Sequence, residues 1–202
     1  MIGAVRVTEL LNITFDREYA LARLRKLQIP LKHRIGQLSG GHKAQVALTL
    51  AIARRPNLLL LDEPLSQLDS LARQQFLSEL MTNVAETDMS VVFSSHTISE
   101  LEKVCDYLIL LVGGEVKLCE SIENIIESHR MVTSAPGELD HMNDFEIIDR
   151  KLDTRFATHL IRVKNPLPQS NLETLPSRLE DIVLAYLRRG QEIEALDSSV
   201  KL

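Results

Sequence analysis

The chain of 202 residues has no tryptophan, two cysteines and no long apolar run, and each shortage removes a class of function. Cys105 and Cys119 are too few for a disulfide framework or a four-thiolate metal site. Apolar runs such as Tyr107 to Val112 fall far below the ~18 residues that span a bilayer. Met1-Ile2-Gly3-Ala4-Val5-Arg6 lacks the basic start and long apolar stretch of a secretory signal. A reduced, cytoplasmic protein is therefore expected. Aromatic residues make up only 4% of the chain, which argues against a stacking platform for single-stranded nucleic acid. The net charge of −5 points to neither nucleic acid nor an acidic membrane surface. The six histidines (33, 42, 96, 129, 141 and 159) show no close metal-ligand spacing.

What is present is an alternation of helical and strand patterns. Asp16 can cap a helix through Leu21, Leu24 and Leu27 that ends before Pro30. A second helix is expected from Lys43, and its stretch Ala44–Ala53 is apolar nearly all round, as a buried helix would be. Arg54 and Arg55 suit its negative end and Pro56 stops it. Leu58 to Leu61 reads as a central parallel strand buried on both faces. Asp69 starts a helix bearing Phe76, Leu77, Leu80, Met81 and Val84, and Val91-Val92-Phe93 forms a second short buried strand. Thr97-Ile98-Ser99-Glu100 has the form of a capping box whose helix turns Ile98, Leu101, Val104 and Cys105 inward. Tyr107 to Val112, Gly113-Gly114 and Glu115 to Cys119 read as a hairpin.

Strands alternating with helices imply an α/β core with a mostly parallel sheet. Residues 131–143, with Pro136 and Gly137, read as a linker. Residues 144–202 read as a small α+β appendage. It contains a half-buried strand at His159–Val163, then a capping box at Ser177-Arg178-Leu179-Glu180. That box opens a helix with Leu179, Ile182, Val183, Tyr186 and Leu187 on one face, stopped at Gly190.

Three places carry chemistry. Asp62 and Glu63 follow the first strand, at the end where α/β folds bind ligands. Adjacent carboxylates repel, so two of them there point to a cation or a proton-transfer role. Ser39-Gly40-Gly41 puts a hydroxyl and two glycines at a helix start, where free N–H groups and the helix dipole favour an anion. A serine N-cap with a glycine turn explains the same residues without a ligand. His96 follows the second strand, where an imidazole can donate to a phosphate oxygen. Asp69 can be read as a plain helix cap.

Taken in order, Leu38-Ser39-Gly40-Gly41, Leu58-Leu59-Leu60-Leu61-Asp62-Glu63-Pro64, Ser66-Gln67-Leu68-Asp69 and Ser94-Ser95-His96 resemble the motifs of the ATP-binding-cassette (ABC) ATPases. They correspond to the signature, Walker B, D-loop and switch histidine. The resemblance implies a partial P-loop NTPase core. Residues 1–56 would be the remainder of the helical signature subdomain and 57–130 the C-terminal half of the ATPase core. Residues 131–202 would be a linker and C-terminal accessory region.

The resemblance further implies that Asp62 helps hold Mg²⁺ on ATP, that Glu63 polarises the attacking water, and that His96 contacts the γ-phosphate. Ser39, Gly40 and Gly41 would contact ATP held by a second ABC ATPase subunit, and Asp69 would communicate across that dimer. A transmembrane permease subunit would hold the chain at the inner face of the membrane, and nucleic acid is not an expected partner. Leu179-Glu180-Asp181-Ile182-Val183-Leu184 resembles the C-terminal end of bacterial exporter ATPases.

No phosphate-binding loop is found. The nearest match, Gly36-Gln37-Leu38-Ser39-Gly40-Gly41-His42-Lys43, has its lysine displaced by one place, is followed by Ala44 and has no strand before it. An N-terminally truncated ATPase subunit, inactive as an isolated chain, is the expectation. The alternatives are a degenerate cassette that acts as a regulatory partner, and a piece of a soluble ABC ATPase. His42-Lys43 and Gln67 depart from the family's more usual residues.

Overall fold

A computed structural model describes residues 1–139, 144–163 and 174–200, with side chains described up to 191. They fall into two compact units, Met1–His96 and Thr97–Leu202.

The first unit runs α1 (Ile2–Leu11), α2 (Arg17–Lys26), α3 (Gly40–Ile52), β1 (Leu58–Leu61), α4 (Ser70–Glu86) and β2 (Ser90–Phe93). Asp16 caps α2 by accepting from the Tyr19 N–H at 2.8 Å. The third helix begins at Gly40 rather than Lys43, because Ser39 caps it and accepts from the His42 N–H at 3.2 Å. Leu48, Ile52, Leu59, Leu65, Leu68, Phe76, Leu80 and Met89 form one core, into which α3, β1 and α4 each turn a face. Strands β1 and β2 pair in parallel, Leu59 opposite Val91 and Leu61 opposite Phe93.

Neither strand is buried on both faces, contrary to the apolar pattern. Leu59 is buried, but Leu58, Leu60 and Val92 are 52%, 68% and 54% exposed. A run of leucines can cover both faces of a strand only where something packs on each face. Among the described residues of this unit, a single layer does so.

The second unit runs α5 (Ile98–Val104), β3 (Tyr107–Val112), β4 (Glu115–Ser121), α6 (Ile122–Ser128), β5 (His129–Ser134), β6 (Phe145–Leu152), β7 (Ala157–Val163), β8 (Thr174–Pro176) and α7 (Leu179–Val200). The hairpin β3–β4 turns at Gly113-Gly114, both with positive φ (59° and 78°), which glycine adopts without a Cβ penalty. The other four strands form an antiparallel sheet in the order β6-β7-β5-β8. Residues 131–134, expected in a linker, are the last four of the six residues of β5, and 140–143 of that stretch lie outside the described residues. Val132, Leu139, Phe145 and Ile161 make the core of this sheet.

Both expected capping boxes differ from the pattern. Thr97 is the N-cap of α5 but its hydroxyl makes no capping bond. The buried Ser177 hydroxyl finds no hydrogen-bond partner near the start of α7. Gly190 does not stop α7, which continues to Val200. A Cβ at position 190 would stand 2.1 Å from Val112 Cγ1, so glycine here lets the helix approach β3. Close packing, and not chain termination, explains this residue. Ion pairs Arg188–Asp149 (2.5 Å) and Arg189–Glu146 (2.7 Å) tie the same helix to β6.

Candidate functional site

The parallel ladder positions the first cluster. The Ser94 N–H donates to the Leu61 carbonyl at 2.9 Å, carrying the β1–β2 pairing to the very end of both strands. The side chain of Ser94 therefore sits where the two acids begin. Its hydroxyl donates to Asp62 Oδ1 at 2.7 Å and accepts from the Glu63 N–H at 2.8 Å. A single serine thus fixes the carboxylate of one acid and the backbone of the next.

His96 Nδ1 lies 2.9 Å from Glu63 Oε2, 33 residues apart in sequence. An ionised carboxylate only accepts, so in that state Nδ1 carries the proton. The Glu63 and His96 side chains are 40% and 73% exposed, so the pair adds little to stability. Glu63 also has φ +43°, a left-handed conformation that costs a non-glycine residue roughly 1–2 kcal/mol. Strain of this kind persists where the surroundings enforce it. Here the Ser94 contact comes from one side, and from the other Ser66 donates to the Glu63 carbonyl through both N–H (3.2 Å) and Oγ (2.9 Å).

A second cluster forms at the ends of α3 and α4. Asp69 caps α4, accepting from the Ala72 N–H at 2.9 Å. A Cβ on Gly40 would lie 3.2 Å from Gln67 Oε1, and one on Gly41 would lie 3.6 Å from Leu68 Cδ2. Gly40 and Gly41 therefore rest against the loop that leads to Asp69, with Ser39 next to them in sequence. The five-residue run from Glu63 to Gln67 joins the two clusters.

The structure thus gathers Asp62, Glu63 and His96 at one place, and Ser39, Gly40, Gly41 and Asp69 at the other. Ser94 has a part that its type and position alone did not reveal. The available signal was its place one residue beyond β2, level with the first acid. Among the described residues no group of three or more His, Cys, Asp or Glu side chains is placed to hold a metal. Asp62 presents one exposed carboxylate. That donor set suits a Mg²⁺ which keeps waters and shares phosphate oxygens, and does not suit an all-protein cage.

Asp62, Glu63, Ser94 and His96 thus cluster where the parallel strand pair ends. Residues 11–66 match the ABC transporter family model. The chain is 31% identical over 121 residues to the ABC transporter ATP-binding protein YtrB of Bacillus subtilis (strain 168), covering 60% of this chain and 41% of that protein. It is 38% identical over 119 residues to the spermidine/putrescine import ATP-binding protein PotA 1 of Pseudomonas aeruginosa, covering 58% of this chain and 32% of that protein. A solved ATP-binding subunit of an ABC transporter superposes with a TM-score of 0.54 at 25% identity, over 61% of this chain and 53% of that one.

The chain is thus similar to ABC transporter ATP-binding proteins, and its α/β fold is that of these P-loop NTPase cassettes. It spans less than half the length of these two curated relatives. No helix of the described residues is long and apolar enough to cross a membrane.

Proposed function

We propose that this chain serves ATP hydrolysis in an ABC transporter by supplying a catalytic cluster and a signature loop. The observation that carries the reading is the Ser94 bridge, which fixes Asp62 and Glu63 side by side while His96 holds the Glu63 carboxylate. Glu63 takes a proton from the water that attacks the γ-phosphate, releasing ADP and phosphate. A positioned base of this kind contributes typically about 10²–10⁴-fold. His96 donates from Nδ1 to Glu63 and so holds its carboxylate beside the place of the attacking water. Mg²⁺, held by Asp62 together with ATP and water, would neutralise charge on the phosphates.

Ser39, Gly40 and Gly41 offer a hydroxyl and backbone N–H groups at the positive end of α3 to ATP carried by a second ABC ATPase subunit. Asp69 lies beside them and communicates across that dimer. A transmembrane permease subunit binds the pair and places it at the cytoplasmic face of the membrane. Export rests on the Leu179–Leu184 helix alone, and PotA 1 is an import protein.

The backbone donors and lysine of a P-loop are the main grip on nucleotide phosphates in such sites. The lone chain is therefore expected to bind Mg-ATP no more tightly than about 1 mM, a weak affinity, and to turn none over. Calorimetric titration checks this, and submillimolar binding by the isolated chain would overturn the need for a partner. The positive test is rescue in trans. A P-loop-bearing ABC ATPase whose own signature serine is replaced should regain hydrolysis when mixed with this chain, and should lose it again with the Ser39→Arg form. Absence of rescue would sink the proposal.

A further inference from the structure

Arg23 lies on α2, away from both clusters, yet its side chain is only 4% exposed. Its guanidinium uses each nitrogen on a different partner. Nε donates to Thr49 Oγ1 at 2.9 Å and Nη2 to Gln45 Oε1 at 2.9 Å, both on α3. Nη1 pairs with Glu79 Oε1 of α4 at 2.6 Å. Tyr19 donates to the same Glu79 oxygen at 3.3 Å and Asn83 at 3.4 Å, while Lys26 Nζ stands 4.0 Å from Oε2. Gln45 and Thr49 are four residues apart and so share one face of α3. They begin about 7 Å along the axis from Gly40, and Glu79 lies about 15 Å along α4 from Asp69.

A buried ion pair is a poor way to gain stability, because desolvation offsets most of the attraction and apolar replacements often do as well. What a three-way guanidinium adds is direction, since its planar fork accepts only one arrangement of partners. Both helices it holds begin in loops that touch each other at Gly40 and Gln67. We propose that Arg23 is a positioning residue that locks the starts of α3 and α4 together. It thereby presents Ser39–Gly41 and Asp69 as one rigid surface. The functional weight of this lock rests on the proposed role of that surface, while the lock itself can be measured without nucleotide.

The test is amide hydrogen exchange on the full chain, read at the capped N–H groups of His42 and Ala72. Replacing the pair by apolar residues, Arg23→Met with Glu79→Leu, should leave the chain folded. Exchange at both amides should accelerate about threefold or more, while Ile161 in the second unit stays unchanged. Arg23→Lys keeps a charge for Glu79 but cannot reach Gln45 and Thr49 together. It should therefore loosen His42 and spare Ala72, and it decides the matter should the double variant unfold. Unchanged exchange at His42 in Arg23→Lys, or an equal rise across all amides of the first unit, would overturn the lock. In the trans assay, wild-type rescue with a weaker response from Arg23→Lys supports coupling to function. Failure of the wild type there counts against the ATPase role and leaves the exchange result standing.

Discussion

Strands β1 and β7 invert what their composition suggests. Strand β1 is four leucines, yet two of them are more than half exposed. Strand β7 contains Thr158, His159 and Arg162, yet Ala157, His159, Leu160 and Ile161 are all 3% exposed or less. The difference is the number of neighbours. Strand β7 is paired on both edges, by β6 and β5, whereas among the described residues β1 is paired with β2 alone. Burial belongs to the assembly of elements and not to the strand's own hydrophobicity.

The contrast can be broken by mutation, and the largest effect should fall in the second unit. Ile161→Ala removes a side chain with no exposure and should cost about 2–5 kcal/mol, read by denaturant unfolding. Gly190→Ala should cost about 1–3 kcal/mol by overpacking on Val112, although alanine is the better helix former. Stabilisation by Gly190→Ala would show that the close approach is not real.

His129 sharpens the comparison further. It is fully buried, with Nδ1 2.7 Å from the Ile125 carbonyl and Nε2 3.1 Å from the Tyr186 hydroxyl. Burial lowers its pKa below the usual 6.5. The unfolded chain then binds the extra proton first. Stability of the second unit is therefore complete above about pH 6.5 and declines as the pH falls below that value. Unfolding midpoints between pH 7.5 and 5 should show this slope, and His129→Gln should reduce it.

The smallest effects belong to the open face of β1 and to the site. Leu60→Ala should change stability by less than about 0.5 kcal/mol, since the side chain is already 68% exposed, while Leu59→Ala on the opposite face should cost about 2 kcal/mol. Glu63→Gly should relieve the left-handed strain and leave stability equal or up to about 1 kcal/mol higher. It should also abolish hydrolysis in the trans assay. A clear loss of stability from that change would mean the strain is not there.

Sequence alone settled the pieces whose causes are local. Asp16 and Asp69 cap their helices because a short oxygen side chain reaches an N–H three residues on, and Gly113-Gly114 turns a hairpin because glycine accepts positive φ. The ordered motifs from Leu38 to His96 likewise pointed to the ABC family, because each is a short string with its own spacing. Tertiary structure decided the rest. Gly190 looks like a helix stop until Val112 is seen beside it. Ser94 is one polar residue among several until the parallel register sets it between Asp62 and the Glu63 backbone. Arg23 is an ordinary helical arginine until three helices converge on it. Each of these roles depends on partners 22 to 78 residues away in sequence, and no local pattern encodes which of them will meet.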